Sequence, residues 1–136
     1  MIEKKEYMSR RQELMSMMHK NSIAVISSAP EKVRSRDTNY PYKQNVNLTY
    51  LAGFPEPESV LVLIPDREDG QVILFCRDKD PLRETWDGYR EGPASAIKKY
   101  GLDDAFPISD IDDILPNLIE GKDRLYYAVG KDADFD

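Results

Sequence analysis

The chain of 136 residues has one cysteine, one histidine and one tryptophan, and its seven glycines are scattered singly. With Cys76 alone, no internal disulfide can form. With His19 alone, a Ser-His-Asp or Cys-His arrangement would have to pass through a residue that no motif surrounds. A metal centre needs several His, Cys, Asp or Glu side chains at one point, and no HExxH, CxxC or EF-hand spacing occurs. Phosphate cradles of the GxxxxGK[ST] type are absent too. No apolar run approaches the ~20 residues that span a bilayer. The opening, Met1 to Arg11, has no apolar core of a secretory signal, so the expected setting is the cytoplasm, without a membrane partner. Cations are in deficit, 19 Lys and Arg against 25 Asp and Glu. That balance argues against nucleic acid as the main partner, because phosphate neutralisation needs clustered Lys and Arg.

What is present suits one globular unit: 40% hydrophobic and 32% charged residues at a length that buries a real core. Glu3 to Met18 places Tyr7, Met8, Leu14, Met15 and Met18 at mostly helical spacing, and predicts an amphipathic helix. Met8, Met15, Met17 and Met18 are expected as adaptable core filler. His19, at the end of this helix, is expected at the surface, where it favours the helix C-terminus. Short apolar runs predict strands at Ile23–Ala29, Leu48–Ala52, Ser59–Ile64, Gln71–Arg77 and Leu125–Val129. The third and fourth flank Pro65 to Gly70 as a hairpin. Both arms are almost continuously apolar, which predicts a sheet covered on both faces and a buried, inert Cys76. Helices are predicted at Pro81–Trp86, at Pro93–Tyr100 with Gly101 as stop, and at Ser109–Leu118 with Ser109 as cap. Asp110, Asp112 and Asp113 then match the positive end of that last helix and need no site to explain them. The fold class is α/β, a mixed sheet flanked by helices. Lys131 to Asp136 carries helix-start residues without a helix after them, so the chain reads as a fragment.

Two segments carry an unusual density of contact residues. Arg34 to Asn45 holds three cations, Tyr40, Tyr42, Asp37 and several amides, which suits either a ligand-binding loop or an ordered surface loop. Trp86 lies among Asp87, Gly88, Tyr89, Arg90 and Glu91. It is either core or an exposed contact residue.

The order RS-D--YPY-QN from Arg34 to Asn45, then Y--GF-EPE-VLVL from Tyr50 to Leu63, resembles the N-terminal domain of aminopeptidase P, in the creatinase/prolidase superfamily. Glu84-Thr85-Trp86-Asp87-Gly88 is similar to the family's acidic-x-Trp-x-Gly segment, and the resemblance runs from about Glu6 to Gly130. It implies a ribonuclease H-like fold over residues 1–136, followed in the whole enzyme by a C-terminal pita-bread metallopeptidase domain. That domain carries two metal ions, usually Mn2+, on two Asp, one His and two Glu, and cuts the bond preceding proline. Those ligands lie outside this chain. No catalytic or metal residue is therefore assigned here, and the chain alone is expected to be inactive. By resemblance, Asp37 faces the free amino group of a bound peptide, Trp86 forms an apolar wall, and Tyr40 and Arg90 lie nearby. The implied partners are proline-containing peptides, the chain's own C-terminal domain and neighbouring subunits of a homo-oligomer. A free-standing scaffold domain without chemistry is the alternative, as is a sister enzyme such as prolidase or creatinase; the YPY-QN loop and the EPE corner favour aminopeptidase P.

Overall fold

The computed structural model describes residues 2–30 and 42–128. Helix α1 (Lys4–Met17) leads into β1 (Ser22–Ser27), and α2 (Val46–Ala52) precedes the hairpin β2 (Val60–Leu63) and β3 (Val72–Cys76). Helices α3 (Pro81–Asp87) and α4 (Pro93–Tyr100) then lead to β4 (Asp104–Pro107), a 3-10 turn (Ile108–Asp110), α5 (Ile111–Ile119) and β5 (Arg124–Ala128).

The strands form one five-stranded sheet in the order β4-β3-β2-β1-β5. β2 runs antiparallel to both β1 and β3, whereas β5 is parallel to β1 and β4 to β3. Four strands therefore point the same way, and their C-terminal ends share one end of the sheet with the start of β2. Alternation along the strands divides the core in two. Ala24, Ile26, Leu61, Leu63, Leu74 and Cys76 face α1, α2 and α4, through Met15, Leu48, Leu51, Ala52 and Ala96. Ile23, Val25, Val62, Ile73 and Phe75 face α5, through Ile111, Ile114, Leu115 and Leu118. The central strands β1, β2 and β3 are thus covered on both faces, as their unbroken apolar runs require. No described helix is long and apolar enough to cross a membrane.

Four expectations are corrected. Leu48–Ala52 is the end of a helix, not a strand. The Asn45 side chain accepts the N–H groups of Asn47 at 2.8 Å and Leu48 at 3.1 Å, and Gly53 ends the helix with φ +68°. Leu48, Leu51 and Ala52 are buried while Thr49 and Tyr50 are not, which is helical spacing. In its place the fifth strand is Asp104–Pro107, a short edge strand whose polar start hid it. Ser109 caps nothing; the 3-10 turn leads directly into α5, whose Ile111 N–H bonds the Ile108 carbonyl instead. Finally, α1 buries Met15 and Arg11, whereas Met8 and Met17 are 42% and 70% exposed, so only part of the methionine group fills the core.

Candidate functional site

Helix α3 projects from the end of the sheet where β3 finishes. Asp80 caps it by accepting the Arg83 N–H at 3.2 Å, Pro81 occupies its first turn, and Gly88 closes it. Trp86 is 82% exposed, and its neighbours Leu82 and Tyr89 are 77% and 61% exposed. Those three apolar side chains stand out on a sheet end whose surroundings are polar. Below them, Lys79 organises the connection to α4. Its ammonium donates to Glu84 Oε1 at 3.0 Å and to the Arg90 carbonyl at 2.7 Å, and lies 4.0 Å from the centre of the Tyr89 ring. The hydrogen bond to Glu84 raises the Lys79 pKa and lowers that of Glu84. Arg90 donates its own N–H to Glu84 Oε1 at 3.2 Å and reaches the Asp78 carbonyl with Nη1 at 3.5 Å. Arg90 thus folds back toward the exit of β3 while Trp86 points outward.

Beneath this surface lies a buried polar cluster. Glu56, Arg77 and Glu91 are only 7%, 8% and 5% exposed. Glu56 Oε1 accepts from Arg77 Nη2 at 3.4 Å, and Oε2 accepts the Glu91 N–H at 2.7 Å. Glu91 accepts in turn from the Ser95 hydroxyl and from Lys99 Nζ. Burial alone would raise the Glu91 pKa, yet the hydrogen bonds from Ser95, Lys99 and Tyr89 and the Lys99 charge hold it below the ordinary value.

Asp37 and Tyr40 lie outside the described residues. Both flanks of that segment are described. The Tyr42 hydroxyl donates to the Ala29 carbonyl, and Gln44 Oε1 accepts the Ala29 N–H at 3.0 Å. Gln44 Nε2 donates to the carbonyls of Phe54 at 3.1 Å and Glu56 at 2.9 Å. The stem of the segment is therefore clasped at the same end of the sheet as α3, on the corner that carries Glu56.

Reading the sequence brought Trp86 and Arg90 forward and missed Glu56, Arg77, Glu91 and Gln44. The available signal was positional. Glu56 sits between two prolines and Glu91 just before Gly92-Pro93, in turns where backbone N–H groups have no ladder acceptor and a carboxylate can supply one. The arrangement presents an exposed indole beside a charged, hydrogen-bonded connection, which can bind. The Cys76 thiol is pushed up to about 12, by burial first and then by Glu56, Asp78 and Glu91, so it is no nucleophile. His19 lies before β1, at the opposite end of the sheet, where its Nδ1 is 2.6 Å from the Tyr126 hydroxyl; it is exposed as expected, but tied to β5 rather than to the end of α1. Among the described residues, no three His, Cys, Asp or Glu side chains converge to hold a metal ion. Two open concavities of about 350 and 270 Å3 lie elsewhere, between α1, α2 and the β1–β5 edge.

The family profile described as "Aminopeptidase P, N-terminal domain" matches residues 7–126. Xaa-Pro aminopeptidase of Escherichia coli is 43% identical over 97% of this chain, and human Xaa-Pro aminopeptidase 3 is 35% identical over 90%. The structure of Pseudomonas aeruginosa aminopeptidase PepP superposes with a TM-score of 0.90 at 57% identity over 99% of the chain. The chain spans 30% of the E. coli and P. aeruginosa proteins and 26% of the human one. With the profile matched over most of its length and its fold shared, this chain belongs to the aminopeptidase P N-terminal domain family.

Proposed function

We propose that this chain is the N-terminal domain of a longer Xaa-Pro aminopeptidase, which removes the first residue of peptides with proline second, and that its task there is to enclose the peptide. In this proposal the metal centre of such an enzyme, with Mn2+ as the proposed ion, is carried by a C-terminal domain outside this chain. An E. coli relative, 42% identical to this chain, has been solved with substrate, and another structure of it is zinc-substituted with product bound. The carrying observation is Trp86, 82% exposed on a short helix whose far side is pinned by polar bonds. An indole held in water at a fixed place is a contact surface waiting for apolar cover. In this reading Trp86 covers a peptide side chain or the wall beside it, Asp37 pairs with the peptide ammonium, and Tyr40 and Arg90 line the same approach. Subunit assembly brings this wall to a neighbour's active site.

A second observation favours more protein around the chain. β5 is an edge strand, and Leu125 and Tyr127, on the α5 face, are 48% and 66% exposed. Edge strands with open apolar side chains are normally covered.

The test is Trp86→Ala in the full-length enzyme containing this sequence. The expected result is a fall in kcat/KM for an Xaa-Pro peptide of about tenfold, the size of one good apolar contact, with metal content unchanged. Unaltered kinetics would overturn the enclosing role. The chain alone is expected to release no residue from the same peptide, with or without Mn2+.

A further inference from the structure

We infer that Glu56 is a positioning residue that fixes how Trp86 is presented; this rests on the enclosing role proposed for Trp86. Glu56 binds three segments at once. Its Oε1 takes Arg77 at the exit of β3, its Oε2 takes the Glu91 N–H in the α3–α4 connection, and its backbone carbonyl takes Gln44 at the stem of the 31–41 segment. The carbonyl also accepts the Ser59 hydroxyl at 3.0 Å, which holds the corner onto β2. The side chain therefore ties the exit of β3 to the α3–α4 connection, while the backbone carbonyl of the same residue holds Gln44.

The α3–α4 connection needs such a tie. Gly88 and Gly92 stand at its two ends with φ of +95° and +82°, a conformation that glycine adopts and leaves at little cost. Between these pivots, the 2.7 Å bond from Glu91 N–H to Glu56 is buried and charge-assisted, the strongest class of hydrogen bond at hand. The requirement is for a carboxylate in particular. Both of its oxygens accept, and both face donors. A glutamine of equal volume offers one oxygen and one NH2, so it satisfies either Arg77 or Glu91 and turns a donor toward the other.

Hydrogen exchange of residues 84–92, read in the chain itself, tests the tie. Glu56→Gln is expected to speed exchange of this segment at least tenfold. Glu56→Asp keeps the charge for Arg77 but falls about 1.5 Å short of Glu91, and is expected to loosen the same segment. Ser59→Ala weakens the same corner without touching the carboxylate, and should leave residues 84–92 within twofold of wild type. Equal loosening by all three variants, or none by either Glu56 variant, overturns the inference, because the corner then acts through general stability alone. In the full-length enzyme, Glu56→Gln should raise KM three- to tenfold with kcat within twofold, in parallel with Trp86→Ala. If Trp86→Ala raises KM and Glu56→Gln does not, the positioning role is overturned. If Trp86→Ala itself is silent, the enclosing role fails, and the exchange result alone judges the tie.

Discussion

The guanidinium of Arg11, in the middle of the first helix, donates at 2.8 Å to the carbonyl of Gly101, ninety residues further along the chain. The same group reaches the carbonyls of Tyr100 at 3.0 Å and Leu51 at 2.9 Å. These carbonyls close helices α2 and α4, where no intrahelical partner is available and the helix dipole is negative. One buried cation thus stitches three helices onto the same face of the sheet. Burial pulls the Arg11 pKa down to about 10, with Asp103 working against the shift, so the side chain stays charged at neutral pH.

Arg11→Met keeps the length and apolar stem of the side chain and removes all three bonds. Loss of charge-assisted bonds to buried carbonyls is expected to cost on the order of 3 kcal/mol. A urea titration of both proteins reads this directly; a midpoint shift worth under about 1 kcal/mol would show that water replaces the guanidinium.

Gly53 ends α2 with φ +68°, and an added Cβ there would meet the Tyr7 ring at 2.5 Å. Gly53→Ala should therefore lose about 1–2 kcal/mol for the backbone alone, and more for displacing Tyr7. The double variant with Tyr7→Ala separates the two. Stability recovered relative to Gly53→Ala alone marks the steric share, and additive losses would mean that the ring moves aside freely.

Cys76 is fully buried with its pKa raised to about 12. The folded protein should react with an aromatic disulfide reagent at mildly alkaline pH only as fast as it unfolds, and the denatured chain within the mixing time. Prompt labelling of the native protein would contradict the packing of β3.

Glu91 has a folded pKa below the ordinary carboxylate value. Its ionised form therefore stabilises the fold above the unfolded-state pKa, and that contribution vanishes as pH falls through the lower, folded value. Glu91→Gln should be less stable than wild type at neutral pH, and the difference should close in acid. The partner Lys99 is 59% exposed in its side chain, so the salt-screened part of the effect is small. A difference that stays constant across the titration would assign Glu91 a packing role instead.

Apolar runs with turn residues between them placed β1 and the β2–β3 hairpin in the sequence, because burial on both faces leaves almost every position apolar; the run at β5 marked a strand too, though its outer side chains are exposed. Proline before and glycine after marked α4, since the two residues act on the backbone locally. The order of motifs from Arg34 to Leu63 pointed to the family, which the profile match bears out. Local rules failed where a side chain had to choose between neighbours in sequence and neighbours in space. Leu48–Ala52 has strand-like residues, and the Asn45 cap with the Gly53 stop decided for a helix. Arg11 is one of the charged positions of the first helix, and only the packing of the ends of α2 and α4 around it buries it. Glu56 and Glu91 are two of the 25 Asp and Glu in the chain, and only contacts with distant segments bury them. The sequence alone determined which segments could be buried, because hydrophobicity and turn chemistry are properties of each residue. Only the tertiary structure decided which charges joined them and left Trp86 outside, because a buried ion is tolerated only where partners from distant segments meet it.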